Sequence, residues 1–275
     1  MKAKIHIMKK IVSTLLLGII AIAVCAQKLP NVQTTGVRAP ATVKIDGKAS
    51  EWDGQMQAYN KNTELYYTLA NDDNNLYLIV QVVNPRIIQK VLDTGINFTI
   101  NLTGKKGYKE KENISITFPR LKTGYVADIL RKAGDKSHWS ALTPGAMLMV
   151  GADVLTRTDS TVNLANKRLA EQANTITIHG VNTIPDTLIS VYNEYGIKAA
   201  AAFNNAGNYI FELALPLKYF GKPVSDLQKF TYSIKLNAID ADGYFVDRAT
   251  KVNMPFDSDI LSETKFWGEY TLAKK

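Results

Sequence analysis

One stretch of the chain gathers the residue types best suited to holding a ligand: residues 130–145, LRKAGDKSHWSALTPG. Gly134, Asp135, Lys136 and Ser137 are turn formers and charges, so Trp139 is expected on a loop, with His138 directly before it. A tryptophan left in water exposes a large apolar face, and such faces mark contact surfaces. The C–H face of a sugar ring stacks on an indole, while Arg131, Asp135, Lys136 and His138 could take its hydroxyls. The alternative is that Trp139 covers the edge of the core from a long loop.

Other chemistry is thinly represented. Asp240-Ala241-Asp242-Gly243 resembles the start of a calcium loop, in which alternate carboxylates converge on one ion and glycine permits the bend. The Glu that ends an EF-hand loop is absent, and the simpler reading is a hairpin turn, because strand-like SIKLNAI precedes it and YFVD follows. Beyond the first 26 residues only His138 and His179 are histidines. The chain has no HExxH, no GxSxG and no phosphate-binding glycine loop. Carboxylates two apart, such as Glu51/Asp53 and Asp257/Asp259, are commonplace in a chain with 25 acids. The reading is therefore non-catalytic.

The elements that must position such residues are mostly strands. Val43-Lys44-Ile45 alternates and stops at the turn dipeptide Asp46-Gly47. Further strands are predicted over 63–70, 76–83, 96–102, 114–118, 209–215, 230–239 and 267–272. The run Asn71-Asp72-Asp73-Asn74-Asn75 favours turns, so LYYTLA and LYLIVQVV should form a tight hairpin. Residues 160–173 place Val162, Leu164, Ala165, Leu169 and Ala173 near helical spacing, predicting one short amphipathic helix. The segment 184–198 leaves helix and strand open. Many short strands with turn signals between them define an all-β protein, an antiparallel β-sandwich of jelly-roll or immunoglobulin-like type. Residues 153–200 are expected to leave it as an insertion with a short helical excursion. Trp52 should plug one end of the core, its indole N–H finding a backbone partner, and Trp267 should pack inside as well.

The first 26 residues read as a secretory signal peptide: a basic stretch ending at Lys9-Lys10, an apolar run from Ile11 to Val24, and small residues before Gln27. That run is short for a membrane span, which needs roughly 20 residues. Cleavage after Ala26 would remove the only cysteine, Cys25, and with it disulfides and thiol chemistry. The alternative is a lipoprotein anchored through Cys25, whose signal wants Gly or Ala where Val24 stands. Without leader lysines 2, 4, 9 and 10, 29 basic residues face 25 acidic ones. A charge near +4 is too mild and dispersed for nucleic acid. The 275 residues, 46% hydrophobic and 21% charged, otherwise describe an exported globular chain with no transmembrane span once mature, periplasmic or secreted.

Five segments carry a family resemblance: KIDGKASEWDG, LYYTLANDDNNLYLIVQV, NYIFELALPLKYFG, SIKLNAIDADG and FWGEYTL. In content and order they resemble the family-9 carbohydrate-binding modules and their DOMON-like relatives, over about residues 43–272. Residues 27–42 would be an extended lead-in. The resemblance implies a single secreted sandwich in which two loop tryptophans grip a sugar. Trp52 and Trp267 would belong to the fold, leaving Trp139 as the one candidate. It also implies structural calcium in some relatives, here on Asp240, Asp242 or Asp72, and otherwise no cofactor. A haem-binding branch would draw axial ligands from Met147 or Met149 with His179.

Two functions from different classes follow. One is a carbohydrate-binding module, its partner a glycan or oligosaccharide, acting freely or beside a separate glycan-active enzyme. The other is a structural or protein-interaction domain reusing the sandwich. The first needs an exposed aromatic platform; the second needs an exposed apolar edge, expected from 153–200.

Overall fold

A computed structural model describes residues 28–52, 54, 56–104, 113–121, 159–221, 229–239 and 261–274. The chain divides into units 1–30 and 31–275, and every element below belongs to the second. The first sheet holds β1 (Val37–Arg38), β2 (Ala58–Asn60), β3 (Leu65–Asn71), β4 (Asn75–Val82), β9 (Lys198–Phe203) and β10 (Tyr209–Pro216). Its order is β1-β3-β4-β10-β9, with β2 also pairing β3. The second holds β5 (Ile96–Asn101), β6 (Asn113–Phe118), β7 (Thr175–His179), β8 (Leu188–Ser190), β11 (Lys229–Leu236) and β12 (Thr264–Thr271), in the order β12-β11-β5-β6-β7-β8. All pairings are antiparallel except β1 with β3. The protein is a β-sandwich.

Side-chain alternation builds the core between the sheets. Tyr67, Leu69, Leu78, Val80, Phe211 and Leu213 face inward from the first sheet, and Phe98, Ile100, Ile116, Tyr232 and Ile234 from the second. The expected hairpin is formed, with Tyr66 opposite Gln81 and Asn71 opposite Leu76. Gly268 faces Tyr232 directly across β11 and β12. A Cβ there would lie 2.6 Å from Tyr232 Cε1, so glycine is what lets that ring lie down in the core.

Several expectations need correction. Residues 43–45 form no strand; Asp46, Gly47 and Trp52 beyond them lie against the outer face of the first sheet, on Glu212 and Tyr77. The lead-in over 27–42 contributes a strand that the sequence reading did not assign: β1 pairs with β3, and the Gln33 amide bonds both backbone groups of Leu69 at 2.8 Å. A helix absent from the sequence reading, α1 (Pro85–Thr94), connects the two sheets. Asn84 caps it, proline opens it, and Ile87, Ile88, Val91 and Leu92 bury its inner side.

The predicted helix is α2 (Asp159–Gln172), burying Val162, Ala165 and Leu169. Its Asn166 side chain donates to Phe203 O at 2.9 Å and accepts from Phe203 N at 2.6 Å, which covers the free edge of β9. From Asp159 onward the segment 153–200 is part of the sandwich and not an excursion from it. β7 and β8 extend the second sheet because TITIH alternates, turning Ile176 and Ile178 inward.

Candidate functional site

Arg131, Asp135, Lys136, His138 and Trp139 lie outside the described residues, as do Met147, Met149, Asp240, Asp242 and the leader. Asp72 is described, and its carboxylate closes the β3–β4 turn. Oδ1 accepts from Asn74 N at 2.7 Å and Asn75 N at 2.6 Å, and Oδ2 accepts from the Tyr77 hydroxyl at 2.6 Å. Burial works against its charged form, but the Tyr77 hydroxyl and the two backbone N–H groups outweigh it and hold the carboxyl below the usual range. Among the described residues no three His, Cys, Asp or Glu side chains gather as a metal site would need. His179 ends β7 exposed to solvent.

The other two tryptophans are not where the sequence placed them. Trp52 is buried, but against Tyr77 on the outer face of the first sheet, with ring centroids 6.2 Å apart. Its Nε1 finds no hydrogen-bond partner among the described residues. Around it the DGKASEW segment is pinned by Glu212, whose Oε2 accepts from Asp46 N at 3.0 Å and Gly47 N at 2.8 Å. Gly47 has φ +80°, and a Cβ there would come 2.7 Å from the Ala201 carbonyl carbon, so glycine is required where the turn rests on β9. Trp267 alternates with Phe266 and Gly268 and therefore points outward from β12, half-buried.

What remains of the first sheet's outer face is an aromatic platform. Register places Tyr59 of β2 opposite Tyr66 of β3, and Tyr66 opposite Gln81 of β4. The tyrosine rings lie 4.5 Å apart at 39°, and all three side chains are half-buried. The β2–β3 turn fixes this register: Asn60 Oδ1 accepts from Asn62 N at 3.0 Å and Thr63 N at 3.1 Å. Beside the rings stands Glu64, whose carboxylate accepts from Asn84 Nδ2 at 2.8 Å. Burial, then Glu64, then Tyr66 push the Tyr59 hydroxyl above the ordinary phenol range, so it stays a donor at neutral pH. Two phenol faces, a neutral amide and a carboxylate at the rim offer stacking and hydrogen bonding. The sequence reading missed this pair, although alternation in LYYTLA requires one of Tyr66 and Tyr67 to face outward.

No protein-family model matches the chain, and no curated protein matches it. Among solved structures it is similar to a family-9 carbohydrate-binding module from Caldicellulosiruptor kristjanssonii in complex with glucose. Identity is 10% and the TM-score 0.36, covering 87% of this chain and 95% of the other. Among the described residues no helix is long and apolar enough to cross a membrane.

Proposed function

We propose that the protein is an exported, non-catalytic carbohydrate-binding module that holds a sugar ring by aromatic stacking. The observation that carries this is the Tyr59–Tyr66 pair: two half-open rings side by side, flanked by the Gln81 amide and the Glu64 carboxylate. A sugar ring presents C–H groups to such a face and hydroxyls to its rim, so ring and rim satisfy different parts of one ligand. Trp139, with His138, Asp135, Lys136 and Arg131, stands as the loop-borne contact proposed from the sequence. Export through the leader, to the periplasm or beyond, belongs to the same proposal.

Protein interaction is a second reading, favoured by one observation. Leu188 is 50% exposed and Tyr192 92%, both at or just after the edge strand β8. A glycan array probed with the mature protein, Tyr66→Ala and Trp139→Ala separates the two. Tyr66→Ala should weaken glycan binding by roughly 1–2 kcal/mol, about five- to thirtyfold, while melting stays near wild type because the ring lies outside the core. A wild-type protein that binds no glycan, yet forms oligomers that Tyr192→Ser dissolves, would replace the sugar reading with the second.

A further inference from the structure

Glu64 occupies a backbone position that its residue type rarely takes. Its φ is +55°, in the left-handed region where glycine and asparagine are at home, at the end of the β2–β3 turn directly before β3. Either of those residues would make the turn with less strain. What glutamate adds is a carboxylate at the rim of the Tyr59–Tyr66 platform. Its Oε2 accepts from Asn84 Nδ2 at 2.8 Å, and Asn84 Oδ1 in turn accepts from Arg86 N at 3.1 Å as the cap of α1. The carboxylate is therefore fixed from both ends, by the turn that carries it and by the helix cap it touches.

The charge so placed has no cation of its own. Glu64 forms no ion pair among the described residues, whose ion pairs involve Asp46, Asp73, Glu263 and Glu269 instead. Its field falls on the Tyr59 hydroxyl: burial, Glu64 and Tyr66 all push that hydroxyl up, and among the described residues no cation pulls it down. The two tyrosines next to it carry negative π-faces and hydroxyl oxygens, and Gln81 adds an amide oxygen. Carboxylate, phenol oxygens, amide oxygen and π-faces have one preference in common. Each attracts a cation, and an ammonium brings three donors and no acceptor. A neutral hydroxyl would suit the amide and the phenols equally but leave the carboxylate's charge unmatched. The tie to Asn84 does not account for that charge either, since a glutamine would accept the same hydrogen bond.

We propose that the tyrosine platform selects a protonated amino sugar, its ring against Tyr59 and Tyr66 and its ammonium on the Glu64 carboxylate. The proposal rests on the reading of the platform as a sugar site and names the class of sugar it takes: a glycan with free amines, of the glucosamine type, in preference to an acetylated or plain hexose chain. Asn84 engages Oε2, which leaves Oε1 for the ligand.

The test uses tetrasaccharides of glucosamine, N-acetylglucosamine and glucose with the same linkage, which differ only in carrying an amine, an acetamide or a hydroxyl on the second carbon. Calorimetry with the mature protein at pH 6, where the sugar amine is protonated, should show the glucosamine tetramer bound about tenfold tighter than either neutral one. Glu64→Gln keeps the acceptor for Asn84 and should melt like wild type, yet lose that preference while the neutral ligands bind as before. Tyr66→Ala should weaken all of them. Salt gives a reading that needs no variant and holds should Glu64→Gln fold poorly. A chain of net positive charge repels a cationic ligand, so general charge effects would make binding tighten as salt rises, whereas contact with Glu64 makes the glucosamine tetramer alone bind more weakly. Equal affinity for the three ligands, tightening of the glucosamine tetramer with salt, or a preference that Glu64→Gln leaves intact would overturn the amino-sugar proposal while the platform stands. Binding that Tyr66→Ala leaves unchanged would overturn the platform reading and this proposal together. Binding of none of the three would overturn the proposal and leave the platform to the glycan array.

Discussion

The hydroxyls of Tyr67 and Tyr232 meet 2.9 Å apart inside the core, one ring from each sheet. A third segment joins them, since Gln33 donates its backbone N–H to the Tyr67 oxygen at 2.9 Å. Burial raises both hydroxyls above the ordinary phenol range, so the pair remains neutral and shares its protons. This is a polar bolt through an otherwise apolar core. It needs Gly268, whose missing side chain makes room for the Tyr232 ring.

Removing either hydroxyl leaves the other short of a partner. Tyr67→Phe and Tyr232→Phe should each destabilise by roughly 1–2 kcal/mol, the cost of a lost buried hydrogen bond with a stranded group. The double variant should cost less than the two together, by about 0.5 kcal/mol or more. Urea denaturation of the four proteins measures this coupling. Strict additivity would mean that the two hydroxyls do not sense each other.

Trp52→Ala should destabilise by about 3–5 kcal/mol, the range for truncating a buried large aromatic. Because the indole N–H has no described partner, Trp52→Phe should cost much less. The place of the damage also matters. Trp52 lies outside the inter-sheet core, so hydrogen exchange should accelerate first in the 46–57 segment and in β10 around Glu212, not at Tyr232. Uniform loss of protection would put Trp52 back in the main core.

Two carboxyls on the first sheet should respond to pH with opposite signs. Asp72 is held below the usual range, so its contribution is present above the ordinary Asp pKa of about 3.9 and fades as pH falls through its lowered value. Glu212 is raised, chiefly by burial and further by Asp46 and Glu51, with the Gly47 and Asp46 N–H groups pulling against them. Its contribution is full below the ordinary Glu pKa of about 4.3 and is lost as pH rises through its raised value. Glu212→Gln keeps an acceptor for both N–H groups without the buried charge. Relative to wild type it should therefore gain stability as pH rises toward neutral, whereas Asp72→Asn should lose. Thermal melts from pH 3 to pH 7 read both differences, and parallel curves for the two variants would contradict the assignment.

Strands β3–β6 and β10–β12 and the α2 helix were legible in the sequence, because alternation and 3.6-residue spacing are local and survive without tertiary context, whereas the short strands β1, β2 and β8 are defined only by the neighbours they pair with. LYYTLA–NDDNN–LYLIVQVV is legible as a hairpin for that reason, and so is the Val162–Leu169 stripe. Helix α1 was equally local, with Asn84 as its cap, Pro85 opening it and Gly95 closing it, yet the sequence reading passed over residues 84–95 between two predicted strands. Tertiary structure alone decided which face each residue took. Trp52 and Trp267 are large and apolar, and composition sends such residues inward. Yet Trp267 alternates with the glycine that Tyr232 requires, and Trp52 rides on a segment that Glu212 clamps to the outside of the sheet. The tyrosine platform likewise depends on β2, β3 and β4 lying in one register. Tyr59, Tyr66 and Gln81 are spread over 23 positions of chain, and only the lateral pairing of strands brings them into one row.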